Sequence, residues 1–204
     1  VVVVVVVFVV NGSAFSFKNG RHLEPALEAR SPEFPTVEVM GATSSVERFL
    51  SAAAAGDTEE LDRLLEQNPD INALDSRGKT AMMEAADKGH EECLRHLILH
   101  GADLNIRDNR GWSASMHAAF RGHVTCLELL IESGAQVDPE DFLGTTPLMR
   151  AAISGHVSCV RLLVQSGASL TKKDKLGLKA KAHARRKGHT PCVRLLNEEV
   201  AWVC

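Results

Sequence analysis

Residues 141–168, DFLGTTPLMRAAISGHVSCVRLLVQSGA, reappear in outline when the chain is shifted by 33 residues in either direction. The turn-forming Asp recurs as Asp75, Asp108, Asp141 and Asp174, each followed three residues later by Gly78, Gly111, Gly144 or Gly177. A Gly-His pair recurs at Gly89-His90, Gly122-His123, Gly155-His156 and Gly188-His189, and a cysteine at Cys93, Cys126, Cys159 and Cys192. Self-similarity at a fixed period of this size marks a stack of supersecondary units, none of which can bury its apolar face alone.

Each of the three full units, residues 75–107, 108–140 and 141–173, carries the same local grammar. Asp-x-x-Gly makes a tight turn whose Gly can take a positive φ. Thr80, Ser113 and Thr146 are placed to N-cap a first short helix. Paired alanines (Ala85/Ala86, Ala118/Ala119, Ala151/Ala152) let neighbouring helices approach closely. The Gly-His pair breaks and restarts the chain, and the Cys that follows, with apolar residues one and four positions on, forms the buried stripe of a second helix. Gly-Ala then closes that helix, the Gly suited to a left-handed cap.

On these residues, and most clearly on Thr146-Pro147-Leu148-Met149 with Gly155-His156, the chain resembles the ankyrin repeat family. The resemblance implies an all-α solenoid of helix-turn-helix repeats with β-turn tips, spanning residues 45–204. Residues 45–74 would then be an N-terminal capping repeat and residues 174–204 a C-terminal one. It further implies a structural role for His90, His123, His156 and His189. In the family, partners bind along the turn tips and the exposed face of the first helices. Carried over by position, those residues are Arg77, Lys79, Glu84, Asp87 and Lys88; then Arg110, Trp112, His117, Phe120 and Arg121; then Phe142, Leu143, Thr145, Arg150, Ile153 and Ser154; and in the last unit Leu176, Leu178 and the basic residues around Arg186. Trp112, Phe120, Phe142, Leu143 and Ile153 would be large apolar side chains facing solvent, and Trp and Arg are enriched in binding hot spots. The alternative is that Trp112 or Phe142 packs against its neighbouring turn. Met83, Met116 and Met149 take the place where the family has the His of its TPLH-type motif, as an adaptable row or as packing. Asn72 and Asn105 hold the family's repeat-ending Asn, which an oxygenase can hydroxylate; the alternative role is a local Asx-turn bond.

The ends depart from this pattern. Residues 1–10, VVVVVVVFVV, fall short of the ~20 residues a spanning helix needs, and no basic region precedes them. A start at Val rather than Met points to a fragment or a mistaken gene start. Residues 11–44 mix Gly, Ser, Pro and charge without periodicity, so residues 1–44 are expected to be disordered or loosely attached. Order is expected from Ser44 or Ser45, with capping-box spacing at Ser44/Glu47 and Asp57/Glu60. In the last unit Lys179 replaces the capping Thr and Arg185 the second Ala, as befits a charged end cap.

Two kinds of chemistry are excluded by geometry. Equivalent atoms of stacked helices lie about 8–10 Å apart. Zinc needs each thiolate at roughly 2.3 Å, and bridged cysteines need Cα atoms about 4.4–6.8 Å apart. The Cys ladder is therefore core, with neither metal nor cofactor expected. No phosphate loop, nucleophile elbow or paired carboxylates occur, and His-Cys proximity repeats with the architecture, so no catalytic residue is assigned.

Aromatics at 4% of the chain suit thin helical layers, and a net charge of −3 implies no general pull toward nucleic acid or membrane. Residues 172–187 nonetheless carry eight Lys and Arg against Asp174 alone. That run is a solvated cap, a nuclear import signal or a site for an acidic partner; without interleaved aromatics, nucleic acid is the weakest reading. The expectation is a non-enzymatic, monomeric adaptor or scaffold in the cytoplasm, binding a protein on its concave face. The alternative is a nucleus-associated regulatory protein that uses the basic cap.

Overall fold

The computed structural model describes residues 6–10, 13–17, 40–67 and 69–198, with side chains for residues 45–67 and 69–197. The chain divides into two compact units, residues 1–38 and 39–204. In the first, strands β1 (Val6–Val10) and β2 (Ser13–Phe17) pair antiparallel, with Val6 opposite Phe17 and Val10 opposite Ser13. β-Branched and aromatic residues favour this pleated pairing.

The second unit stacks five helix pairs: α1 (Met40–Ala55) with α2 (Thr58–Glu66), α3 (Ala81–Lys88) with α4 (Glu91–Leu99), α5 (Ala114–Arg121) with α6 (Val124–Glu132), α7 (Pro147–Ser154) with α8 (Val157–Gln165), and α9 (Ala180–Arg186) with α10 (Thr190–Glu198). Helix α1 starts at Met40, so Ser44 lies inside it rather than at its start, contrary to the boundary expected from the capping-box spacing. Asp57 does cap α2, accepting the Glu60 N–H at 2.9 Å.

Local chemistry makes each pair. Thr80, Ser113 and Thr146 accept the N–H groups of Met83, Met116 and Met149, so each first helix starts where its hydroxyl sits. Lys179 supplies no such bond to α9. The first helices end at Gly89, Gly122 and Gly155 in the left-handed region, where a side chain is strained. The next His then links the layers: the rings of His90, His156 and His189 donate through Nε2 to the carbonyls of Ala54, Phe120 and Ile153, 36 residues back, at 3.0–3.1 Å. A Cβ on Gly89 would lie 2.5 Å from Nδ1 of His123, and Gly56, Gly122 and Gly155 face His90, His156 and His189 as closely. Gly and His are thus two halves of one inter-layer contact.

The core is one continuous cluster between the two helix layers, running from Phe49 and Leu50 to Leu195 and Leu196. First helices pack on each other more densely than second helices do, because alanines such as Ala85, Ala118 and Ala151 lie between them. Met83, Met116 and Met149 are fully buried, so they pack and form no exposed row. Cys93, Cys126, Cys159 and Cys192 are buried free thiols; burial pushes those of Cys126 and Cys159 up to about 11. Asn72 and Asn105 do not close a local turn with their carbonyl oxygens. Each accepts the N–H of a residue 31 positions on, Asp103 and Gln136, and Asp138 does the same for Ser169.

Candidate interaction face

The four turns project as a row beside the first helices. In each, the Gly N–H returns to the Asp carbonyl, closing a β-turn, while Asp Oδ1 accepts two further N–H groups. The Asp at the head of each turn is therefore a carboxylate clamp, satisfied by backbone. Adjacent turns are laced together, Asn109 N–H to the Arg77 carbonyl at 3.0 Å and Lys175 N–H to the Leu143 carbonyl at 2.9 Å.

The second oxygen of each clamp reaches a side chain nine residues on, in the first helix. Asp108 accepts from His117 Nε2 at 3.1 Å, Asp141 pairs with Arg150, and Asp174 with His183 at 2.7 Å. In the first full repeat the ninth residue is Glu84, and Arg77 bridges the two acids, 2.9 Å from Asp75 and 2.8 Å from Glu84. Burial raises the Asp75 and Asp174 carboxyls, but backbone N–H donors together with Arg77 and His183 outweigh it and hold both below the usual carboxylate range.

Between the first two full repeats lies a buried ionic cluster centred on Asp87. His117 Nδ1 stands 3.4 Å from it, Arg121 grips it with two bonds at 2.8 and 3.3 Å, and Lys79 lies at 3.8 Å. The His117 imidazole, then Arg121 and Lys79, hold Asp87 well below its ordinary value against the opposing effect of burial. Lys79 also meets Glu84 at 3.1 Å. Next to this cluster, the Trp112 ring is sandwiched by the guanidinium groups of Arg110 and Arg150, 4.5 and 4.1 Å from its centroid. Phe120 meets its edge at 5.3 Å and His117 lies at 5.1 Å.

These positions correct five expectations, Thr145 at 4% exposure among them. Trp112, His117, Lys79 and Glu84 were expected to face solvent, but they are only 7%, 1%, 5% and 6% exposed. The physical reason lies in particular contacts: Arg150 of the next repeat covers Trp112, Asp87 and Asp108 enclose His117, and Lys79 and Glu84 pair with each other. The missed signal was the nine-residue spacing from each turn Asp to His or Arg, visible in three units. Arg77, Lys88, Arg110, Arg121, Phe142 and Leu143 are exposed, Phe120, Arg150 and Ile153 half-buried. A polar groove of about 550 Å³ runs over Arg77, Asp87, Asn109, Trp112 and Arg121.

Of the basic run, Lys172 pairs with Glu140 at 2.8 Å, while Lys173, Lys175, Lys179, Lys181, Arg185, Arg186 and Lys187 are exposed. Among the described residues no His, Cys, Asp and Glu cluster is arranged to hold a metal ion, and no helix is long and apolar enough to cross a membrane.

No characterised protein compared with the chain matches it. A family model described as ankyrin repeats, in three copies, matches residues 49–141, 96–174 and 137–201, which together cover about three quarters of the sequence. Repeats of this family indicate, in general, a protein–protein interaction module. With the match running the length of the helical stack, the chain belongs to the ankyrin repeat family.

Proposed function

We propose that this chain is a non-enzymatic adaptor or scaffold that holds a protein partner against its turn tips and the exposed sides of its first helices. One observation carries the reading. Most polar side chains along this face are bonded within and between repeats, Arg77, Arg110 and Arg121 among them although their outer sides stay exposed, while Lys88, Phe142 and Leu143 are offered to solvent. Apolar groups rimmed by cations mark an interface.

The test is affinity capture with the full chain. A variant carrying Lys88→Glu, Arg121→Glu and Leu143→Asp should lose proteins that the parent retains. Glu128→Lys with Arg161→Glu, on the second helices, should keep them. Equal losses from both variants, or none from the first, would sink the reading.

A second reading is favoured by the seven exposed cations of residues 173–187, which are without ion pairs among the described residues. In it the basic end directs nuclear import. Neutralising Lys173, Arg185, Arg186 and Lys187 should then shift a tagged chain out of the nucleus, and an unchanged distribution leaves the run as a cap.

A further inference from the structure

The turn tips change character halfway along the row. The central pairs of the first two turns are Ser76-Arg77 and Asn109-Arg110; those of the last two are Phe142-Leu143 and Lys175-Leu176. Arg77 folds back onto Asp75 and Glu84, and Arg110 onto the Trp112 ring, so both spend their charge within their own repeat. The last two tips do the opposite. Phe142, Leu143 and Leu176 are 61%, 63% and 77% exposed. Leu143 and Leu176 hold the same position of adjacent turns, and those turns are bonded through Lys175 N–H to the Leu143 carbonyl. The Phe142 ring leans on the previous turn, where a Cβ on Gly111 would stand 3.1 Å from its edge. Leaving Gly at 111 gives the ring a seat without burying it.

Charge around this apolar strip is one-sided once Glu140 and Asp141, which pair with Lys172 and Arg150, are set aside. Residues 142–197 contain eleven Lys and Arg and a single acidic residue, Asp174. That one is buried, bonded to His183 and to the N–H groups of Leu176 and Leu178. It offers nothing to solvent. Lys173, Lys175 and Lys179, all exposed, lie within three residues of Leu176.

We propose that the third and fourth turn tips form a docking strip for an acidic protein segment bearing large apolar side chains. Its apolar groups sit on Phe142, Leu143 and Leu176, and its carboxylates face Lys173, Lys175 and Lys179. This rests on the protein-binding reading above and names the chemistry of the partner. Apolar side chains without charge would leave the lysines unmatched, and a polyanion without apolar groups would leave three large side chains wet. Nucleic acid would find a single aromatic ring here, too few for a stacking platform.

The experiment measures binding of labelled twelve-residue peptides to the full chain by fluorescence anisotropy. The probe alternates Glu and Leu; one control replaces Leu by Ser and another replaces Glu by Lys. The Glu/Leu peptide should bind, weaken with salt, and exceed both controls by about tenfold or more. Phe142→Ser with Leu143→Ser and Leu176→Ser should cost at least about tenfold. Lys173→Gln with Lys175→Gln and Lys179→Gln should weaken binding and flatten its salt dependence. All six residues are exposed, or nearly so, and circular dichroism checks that each variant is folded. Equal binding of the Ser control, indifference to the tip variant, or binding only to vesicles rich in phosphatidylserine would overturn the proposal. If no acidic peptide binds while capture still depends on Lys88 and Arg121, this strip falls and the broader protein-binding face stands.

Discussion

Replacing Trp112 by Ala tests whether this ring is mortar between repeats or a recognition group. Its side chain is 7% exposed and lies between Arg110 and Arg150, with Phe120 at its edge. Truncating a buried Trp costs about 3–5 kcal/mol, and the aromatic edge contact adds about 0.5–1.5 kcal/mol. The pocket opens on one side toward the groove, so water can fill part of the space, and the expected loss is about 3 kcal/mol. Urea unfolding should be followed by far-ultraviolet circular dichroism, because Trp202 remains to confuse fluorescence. With a slope of about 2 kcal/mol/M, the midpoint should fall by about 1.5 M. Stack stability is a sum of unit and interface contributions. Weakening the contact between the second and third full repeats should therefore also broaden the transition. Trp112→Phe keeps a ring under Arg150 and should lose about half as much. A Trp112→Ala chain unfolding within about 0.5 kcal/mol of the parent would refute the structural role and return Trp112 to the solvent-facing reading.

The same contacts support three other tests. Gly89→Ala puts a Cβ 2.5 Å from the His123 ring, whereas Gly101→Ala at φ 80° meets nothing within 4 Å. Both incur the left-handed cost of about 1–2 kcal/mol, so thermal melts should show a clearly larger drop for Gly89→Ala; equal drops would mean the ring contact contributes nothing. Asp87 is held well below the ordinary carboxylate value of about 3.9 by His117, Arg121 and Lys79. Because the folded value is the lower one, its stabilisation is fully present above the unfolded value and is lost as pH falls through the folded one. The gap between the parent and Asp87→Asn should be about 2–3 kcal/mol near neutrality and shrink below about pH 4. A gap that widens in acid would contradict the network. In a Cys204→Ser chain, the buried thiols, two of them pushed up to about 11, should resist alkylation at pH 8 until urea is added. Rapid labelling of Cys126 or Cys159 in the native protein would show that the layers open.

Much of the stack was legible because its determinants are local and repeated. The turn Asp, the capping Thr or Ser and the closing Gly each act within a few residues, so spacing alone places the helices. The N-terminal boundary was not legible in the same way. Ser44 and Glu47 have capping-box spacing, yet α1 begins at Met40 and runs through them. A cap is defined by where the backbone leaves the helix, and spacing does not report that. Burial on the inner face was illegible for a different reason. Family position placed Trp112 and His117 at the surface, but Arg150 covers the first and Asp87 with Asp108 encloses the second. Those contacts join residues 9 to 38 positions apart, across a layer that exists only after stacking.

The sequence by itself determined the unit and its period, because a turn, a cap and an apolar stripe are properties of short segments. It also determined that the Cys ladder is core, since one period of rise exceeds what a metal or a disulfide can bridge. Tertiary structure decided which members of the inner face are spent and which are offered. Lys79 pairs with Glu84 and Asp87 within the first full repeat and His117 reaches Asp87 from the next, while Phe142, Leu143 and Leu176 are left in water. The physical reason is that charge pairing and desolvation depend on distances between repeats. Only the assembled stack sets those distances.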